Sequence, residues 1–188
     1  MRERLPRRLQ VALTAGTLAG ALALAGCAPS ASTPTPTPVP VSPSATAFFA
    51  SGEEALAAAT AAYEAYARVS DEIAASGGTD PSRLRPYVTE EEFDRQLASL
   101  SGYQEHGWHT TGATSIDSVR LEKVDSEAAE VTLYLCVDVS GVQILDSTGV
   151  VRTPTDRVER LPFEAIMKEV EGTLRVARSS VWSGDNFC

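Results

Sequence analysis

From Leu56 to Ile73 the chain places Leu56, Ala59, Tyr63, Tyr66 and Ile73 at intervals of three and four, with Ser70 in phase, which is the repeat of one helix face. Ser51 followed by Glu54 forms a capping box at its start and Gly77-Gly78 closes it, so the spacing predicts a first helix of about 24 residues. Asp80-Pro81 then reads as N-cap and first helical residue of a short turn through Leu84, closed by Pro86. A second capping box, Thr89 to Glu92, opens a third helical segment with Phe93, Leu97 and Leu100 on one side, and Gly102 is expected to stop it.

Beyond Gly112 the period changes to two. Val119 and Leu121 begin it, Asp125-Ser126 makes a turn, and Val131, Leu133, Leu135, Val137 and Val139 occupy alternate positions of a long half-buried strand. Asp146 to Gly149 is a turn whose flanks, Val142 to Ile144 and Val150-Val151, form a short hairpin. A third long strand carries Leu161, Phe163, Ala165 and Met167 on one face, and Glu171-Gly172 turns it into a fourth with Leu174, Val176, Ser180 and Trp182 inward. Helices first, then strands joined by short turns, specify an α+β fold in which N-terminal helices pack on a curved antiparallel sheet of about four long strands.

The first 47 residues follow other rules. Basic Met1 to Arg8 precede an apolar run from Val11 to Leu24, and Leu24-Ala25-Gly26-Cys27 closes it. The run is about 14 residues, short of the roughly 20 that a spanning helix needs. Small residues before the cut and a free thiol after it are what lipoprotein processing requires, and the pattern resembles bacterial lipoprotein signals. It divides the chain into a signal peptide (1–26), a lipidated Cys27 with a Pro/Thr/Ser-rich tether (27–47) and a folded domain (48–188). Proline at 29, 34, 36, 38, 40 and 43 excludes helix and central strand from the tether, leaving an extended spacer. Acyl chains on Cys27 would hold the domain on the extracytoplasmic face of the cell membrane, each buried methylene contributing about 0.8 kcal/mol. Abundant arginine and alanine hint at an actinobacterial source.

Removing the signal shifts the formal charge from −9 for the whole chain to −12, since residues from Cys27 onward hold 12 basic and 24 acidic side chains. Such a surface repels phosphate backbones and anionic lipid, so nucleic acid is excluded as a partner and only the lipid anchor would hold the protein at a membrane. With Cys27 acylated, Cys136 and Cys188 are an even pair in an oxidising compartment, and a disulfide is the economical reading. Period-two counting sets Cys136 on the face opposite Val131 to Val139, with Tyr134 and Asp138, so the C-terminal tail should cross that face to reach it.

The order of helices followed by long bent strands resembles the nuclear transport factor 2-like, cystatin-type cone. The stretches Cys136-Val137-Asp138-Val139-Ser140, Pro162-Phe163-Glu164 and Val181-Trp182-Ser183-Gly184-Asp185 are similar to actinobacterial lipoproteins of that superfamily. Relatives with this cone include isomerases and dehydratases that use a buried Asp, His or Tyr in the cavity between helices and sheet. By that analogy the residues to weigh are Asp138, His106, His109, Tyr63 and Tyr66.

None carries a catalytic assignment. Asp138 is in phase with the polar face of its strand, and His106 and His109 lie in a glycine-broken link with no third ligand, so no metal or cofactor is assigned. The acidic residues 90 to 92 suit a helix start, where they complement the dipole. Tyr63, Tyr66, Trp108 and Trp182 are candidates to line a pocket for an apolar ligand. The leading expectation is a non-catalytic binding domain for a small apolar ligand or a cell-envelope partner. Against it stand an isomerase or dehydratase using an ionisable group in the cone, and an assembly module forming a homodimer through its sheet.

Overall fold

The computed structural model describes residues 49–188, so the signal, Cys27 and the tether lie outside the described residues. The first helix, α1, spans Gly52–Ala75; Ser51 caps it by accepting from the Glu54 amide at 3.1 Å, while Glu54 accepts from the Ala50 amide at 2.9 Å. Its inward stripe is Ala55, Ala59, Tyr63, Tyr66, Val69 and Ile73, close to the predicted phase. Only two α-helices form among the described residues. Pro81–Leu84 is a single 3-10 turn, and Asp80 is not its side-chain cap: it sits at φ 53 and its carboxylate accepts from the Ser82 hydroxyl.

Helix α2 runs Glu90–His106, passing through the expected stop at Gly102. The backbone ends instead at Gly107, whose φ of 63 is the left-handed conformation that lets its amide and that of Trp108 cap the last turn. Phe93 and Leu100 face the core but Leu97 is 39% exposed, because the inward face of α2 is set by Glu92, Phe93, Leu100 and half-buried Tyr103.

The main sheet is antiparallel in the order β2-β3-β5-β6, with β2 Ser115–Asp125, β3 Glu130–Asp138, β5 Arg160–Val170 and β6 Thr173–Val181. Val131, Leu133, Leu135 and Val137 stand opposite Met167, Ala165, Phe163 and Leu161, so one face of both central strands is apolar, as the alternation predicts. Positive φ at Glu171 and Gly172 makes the tight β5–β6 turn. Register breaks bend β2 near Ser118 and Glu122. The architecture is the expected α+β arrangement, with both helices on one side of a curved antiparallel sheet.

A smaller two-stranded sheet pairs β1 His109–Thr111 with β4 Gln143–Leu145, and the hairpin partner Val151 bridges to Leu145 on the other side of β4. Gly112 permits this crossing: a Cβ there would sit 1.8 Å from the Gly141 carbonyl oxygen.

The inward assignment of Ser180 and Trp182 is corrected by a bulge in β6. Met167 pairs with Val176 but Ile166 pairs with Arg178, leaving Ala177 as the extra residue. From that point every side chain changes face. Ser179 and Val181 therefore continue the face of Ala165 and Phe163, and Trp182 joins the outer face, packed on Tyr134 at 4.7 Å between ring centroids.

Candidate functional site

Inside the cone, the space between α1, α2 and the sheet is occupied by Tyr63, Tyr66, Ile73, Phe93, Leu133, Leu135, Met167 and Val176. Tyr63 and Tyr66 meet edge to face at 5.5 Å, and the Tyr63 hydroxyl hydrogen-bonds Ser179 at 2.9 Å. Burial pushes the Tyr63 phenol up to about 12 and raises that of Tyr66 as well. Both rings are core members here, with neutral hydroxyls throughout the physiological range.

The ionisable group that sequence reasoning missed in this region is Glu92, only 2% exposed. In a complete capping box its carboxylate would reach back to the Thr89 amide, but that amide donates to the Val176 carbonyl of β6. Freed from the box, Glu92 accepts from Arg95 Nε at 2.8 Å and from Gln96 Nε2 at 2.7 Å. Arg95 also donates to Glu91 and, at 2.7 Å, to the Ala177 carbonyl exposed by the bulge. The i, i+3 and i, i+4 spacing of these partners was visible in the sequence. What was not visible was the competing β6 carbonyl. The arrangement fastens the first turn of α2 to the sheet and leaves both carboxylate oxygens engaged.

Of the depressions outside the core, two bear on the candidate residues. A groove of about 480 Å³ runs between the second half of α1 and the segment entering β2. Buried Ala67 and half-buried Ile116 give it an apolar base, with Gly112 and Ala113 alongside, while Glu64, Arg68, Asp71 and Glu72 supply three negative charges and one positive. Asp71 holds the far wall by accepting from the Thr114 amide at 2.7 Å and its hydroxyl at 2.8 Å. Hydrogen bonds from Arg83 and Arg68 lower the pKa of Glu72, keeping it ionised.

The second depression lies where the ends of both helices meet the β4 hairpin. Trp108, Tyr103, His109, Gln104, Ser76 and Ser147 line it. His106 stacks on Trp108 at 4.5 Å. His106 is thus stacked on an aromatic ring and His109 lines the same depression, and among the described residues no group of three His, Cys, Asp or Glu side chains is placed to hold a metal.

On the outer sheet face the Cys136–Cys188 disulfide is present, with Cα atoms 5.7 Å apart, and the tail crosses this face as expected. Tyr134 of the sheet meets the rings of Trp182 and Phe187, and Arg120 lies over the Phe187 ring. Arg160 pairs with Asp117 at 2.5 Å and donates to the Cys188 carbonyl. Asp138 is on this face too, its pKa lowered by hydrogen bonds from Ser140. Of the four aromatic residues singled out in the sequence, Trp108 lines a recess, Tyr63 and Tyr66 fill the core and Trp182 packs on Tyr134. Among the described residues no helix is long and apolar enough to cross a membrane.

No protein-family model matches the chain, and no curated protein matches it. Among solved structures it is similar to the intermembrane space region of the chloroplast protein ARC6, with TM-score 0.51 and 8% identity over 69% of this chain and 97% of that one. It is also similar to Aln2 from a Streptomyces species, with TM-score 0.42 and 16% identity over 70% of this chain and 90% of that one. A third is the putative scytalone dehydratase from Novosphingobium aromaticivorans, with TM-score 0.38 and 11% identity over 68% and 89% of the two chains. At these identities the likeness is one of fold.

Proposed function

We propose that the protein is a lipid-anchored extracytoplasmic lipoprotein whose domain binds a cell-envelope protein without catalysing a reaction. The observation that carries this reading is where the open space lies. Side chains occupy the cone interior, and its one buried carboxylate is held by Arg95 and Gln96, whereas the groove beside α1 is open and lined by apolar and acidic groups. An occupant suited to that groove is a partner segment carrying small apolar residues and a basic side chain, attracted by the excess of carboxylates. The location is supported by the signal pattern ending in Cys27 and by a disulfide suited to an oxidising compartment.

Two experiments test the two halves. Cys27→Ser should release the protein from membranes or block its processing, and a mutant that remains membrane-bound at its processed size would remove the anchor. For the groove, a photo-crosslinker at exposed Ala113 in the native host should yield a discrete adduct with an envelope protein. The adduct should weaken in Glu64→Lys and be absent with the crosslinker at exposed Glu127. Equal labelling from both positions would remove the groove as the binding surface.

A further inference from the structure

The recess around Trp108 differs in chemistry from the groove. None of the residues lining it carries a formal charge, on a protein whose other depressions include carboxylates. It offers aromatic rings from Trp108, Tyr103 and His109 and hydrogen-bonding groups from Ser76, Gln104 and Ser147. The Tyr103 hydroxyl, the His109 ring nitrogens and the Ser147 hydroxyl have no hydrogen-bond partner among the described residues. They are thus available to a ligand. Gln104 donates to the Gly78 carbonyl at 2.6 Å, which fixes its amide while its oxygen remains an acceptor.

The rings are held in place by the fold. The left-handed Gly107 ends α2 and turns the chain so that the Trp108 amide bonds the Tyr103 carbonyl at 2.8 Å. Trp108 is braced by the His106 ring stacked against it, and the following β1 strand, paired to β4, brings Ser147 of the hairpin to the recess beside Gly107. At about 610 Å³ the recess falls within the size range of small-molecule sites. A neutral ligand with apolar C–H faces and many hydroxyls matches this lining: the faces stack on rings, and the hydroxyls bond the side-chain donors and acceptors at the edge.

We infer that the Trp108 recess is a saccharide-binding site for a neutral pyranose or short oligosaccharide, which adjoins the groove proposed for a protein partner at Ala75 but is distinct from it in chemistry. An organic cation, which also favours aromatic rings, is less well matched because no carboxylate lines the recess.

The chain contains two tryptophans, and Trp182 packs on Tyr134 on the outer face, which makes fluorescence a direct reading. Full-length Cys27→Ser protein carrying Trp182→Phe is titrated with maltotriose, cellotriose and N-acetylchitotriose, with choline as the cation probe. A saturable change in Trp108 emission is expected with at least one saccharide, together with shifts of Trp108 and Ser147 resonances in NMR spectra. Trp108→Ala, followed by NMR, should weaken that binding at least about tenfold, a loss of about 1.4 kcal/mol. Should Trp108→Ala fail to fold, Ser147→Trp on the exposed rim fills the recess from outside and should abolish the NMR response of Trp108. Saturation by choline alone, no saturable response to any of the three saccharides, or binding undiminished in both variants would overturn the assignment. Crosslinking at Ala113, which lines the groove and not the recess, is unaffected by any of these outcomes, so the groove and the recess stand or fall separately.

Discussion

The two faces of the main sheet are built from alternate residues of the same strands, yet they are covered by different means. On the inner face Val131, Leu133 and Leu135 are met by Met167 and Ala165 and by the apolar stripes of α1 and α2. Each helix arrives with its own complementary face, so burial there is a matter of pattern matching pattern. On the outer face Tyr134 and Cys136 are covered by a tail with no regular structure after Val181. That segment is held by a covalent bond, two aromatic contacts and the Arg160 contact to its last carbonyl. A short tail cannot bury enough apolar area to order itself, and the disulfide supplies the constraint that a helix obtains from packing.

The largest effect should come from breaking the inner face. Leu133→Asp would place a carboxylate among fully buried apolar side chains and cost about 4 kcal/mol or more, read as loss of cooperative unfolding by circular dichroism. On the outer face, replacing both Cys136 and Cys188 with Ser removes a cross-link spanning 52 residues and should lower stability by about 4 kcal/mol at most in the chain-entropy picture. Urea unfolding gives the size. Amide exchange locates it: residues 182–188 should lose protection while α1 keeps its own, and the reverse pattern would show that the tail supports the core.

Alkali separates the faces further. The phenols of Tyr63 and Tyr66 are raised in the folded protein, so stability is fully present below the unfolded tyrosine pKa near 10 and is lost as pH rises through the folded values. The expected decline between pH 10 and about 12 is roughly 1.4 kcal/mol per pH unit for each buried phenol. Tyr63→Phe should reduce that slope, and Tyr134→Phe on the outer face, whose phenol is raised less, should reduce it by a smaller amount. The smallest effect expected is that of Arg95→Ala, which removes one partner of Glu92 and the clamp on the Ala177 carbonyl. With the guanidinium partly exposed, the loss should be a small shift of the urea midpoint, and Arg95→Lys should recover part of it.

Much of the inner face was legible in the residue pattern because amphipathic spacing is a local property. The α1 cap at Ser51, the apolar alternation of β3 and the turn at Glu171-Gly172 follow from neighbours a few positions apart. Cys136 was assigned to the outer face by the same counting. The failures have physical causes. Gly102 was expected to end α2, but a single glycine costs a helix only about 1 kcal/mol, and flanking contacts from Leu100 and Tyr103 carry the helix past it. Trp182 was assigned the wrong face because one bulged residue inverts everything after it.

The candidate sites were less legible than the fold. Glu92 looked like a charge at a helix start, and only the β6 strand competing for the Thr89 amide turned its carboxylate toward Arg95 and Gln96. Trp108 could be named from its residue type, but Ser147 reaches it through the pairing of β1 with β4, which join segments more than 30 residues apart. The sequence alone determined the elements, the face of Cys136 and the expectation of a lipid anchor, since these depend on spacing and composition along the chain. Only the tertiary structure decided which polar groups are buried, which aromatics remain available and where open space lies. Those outcomes depend on which distant backbone groups and side chains compete for the same partner.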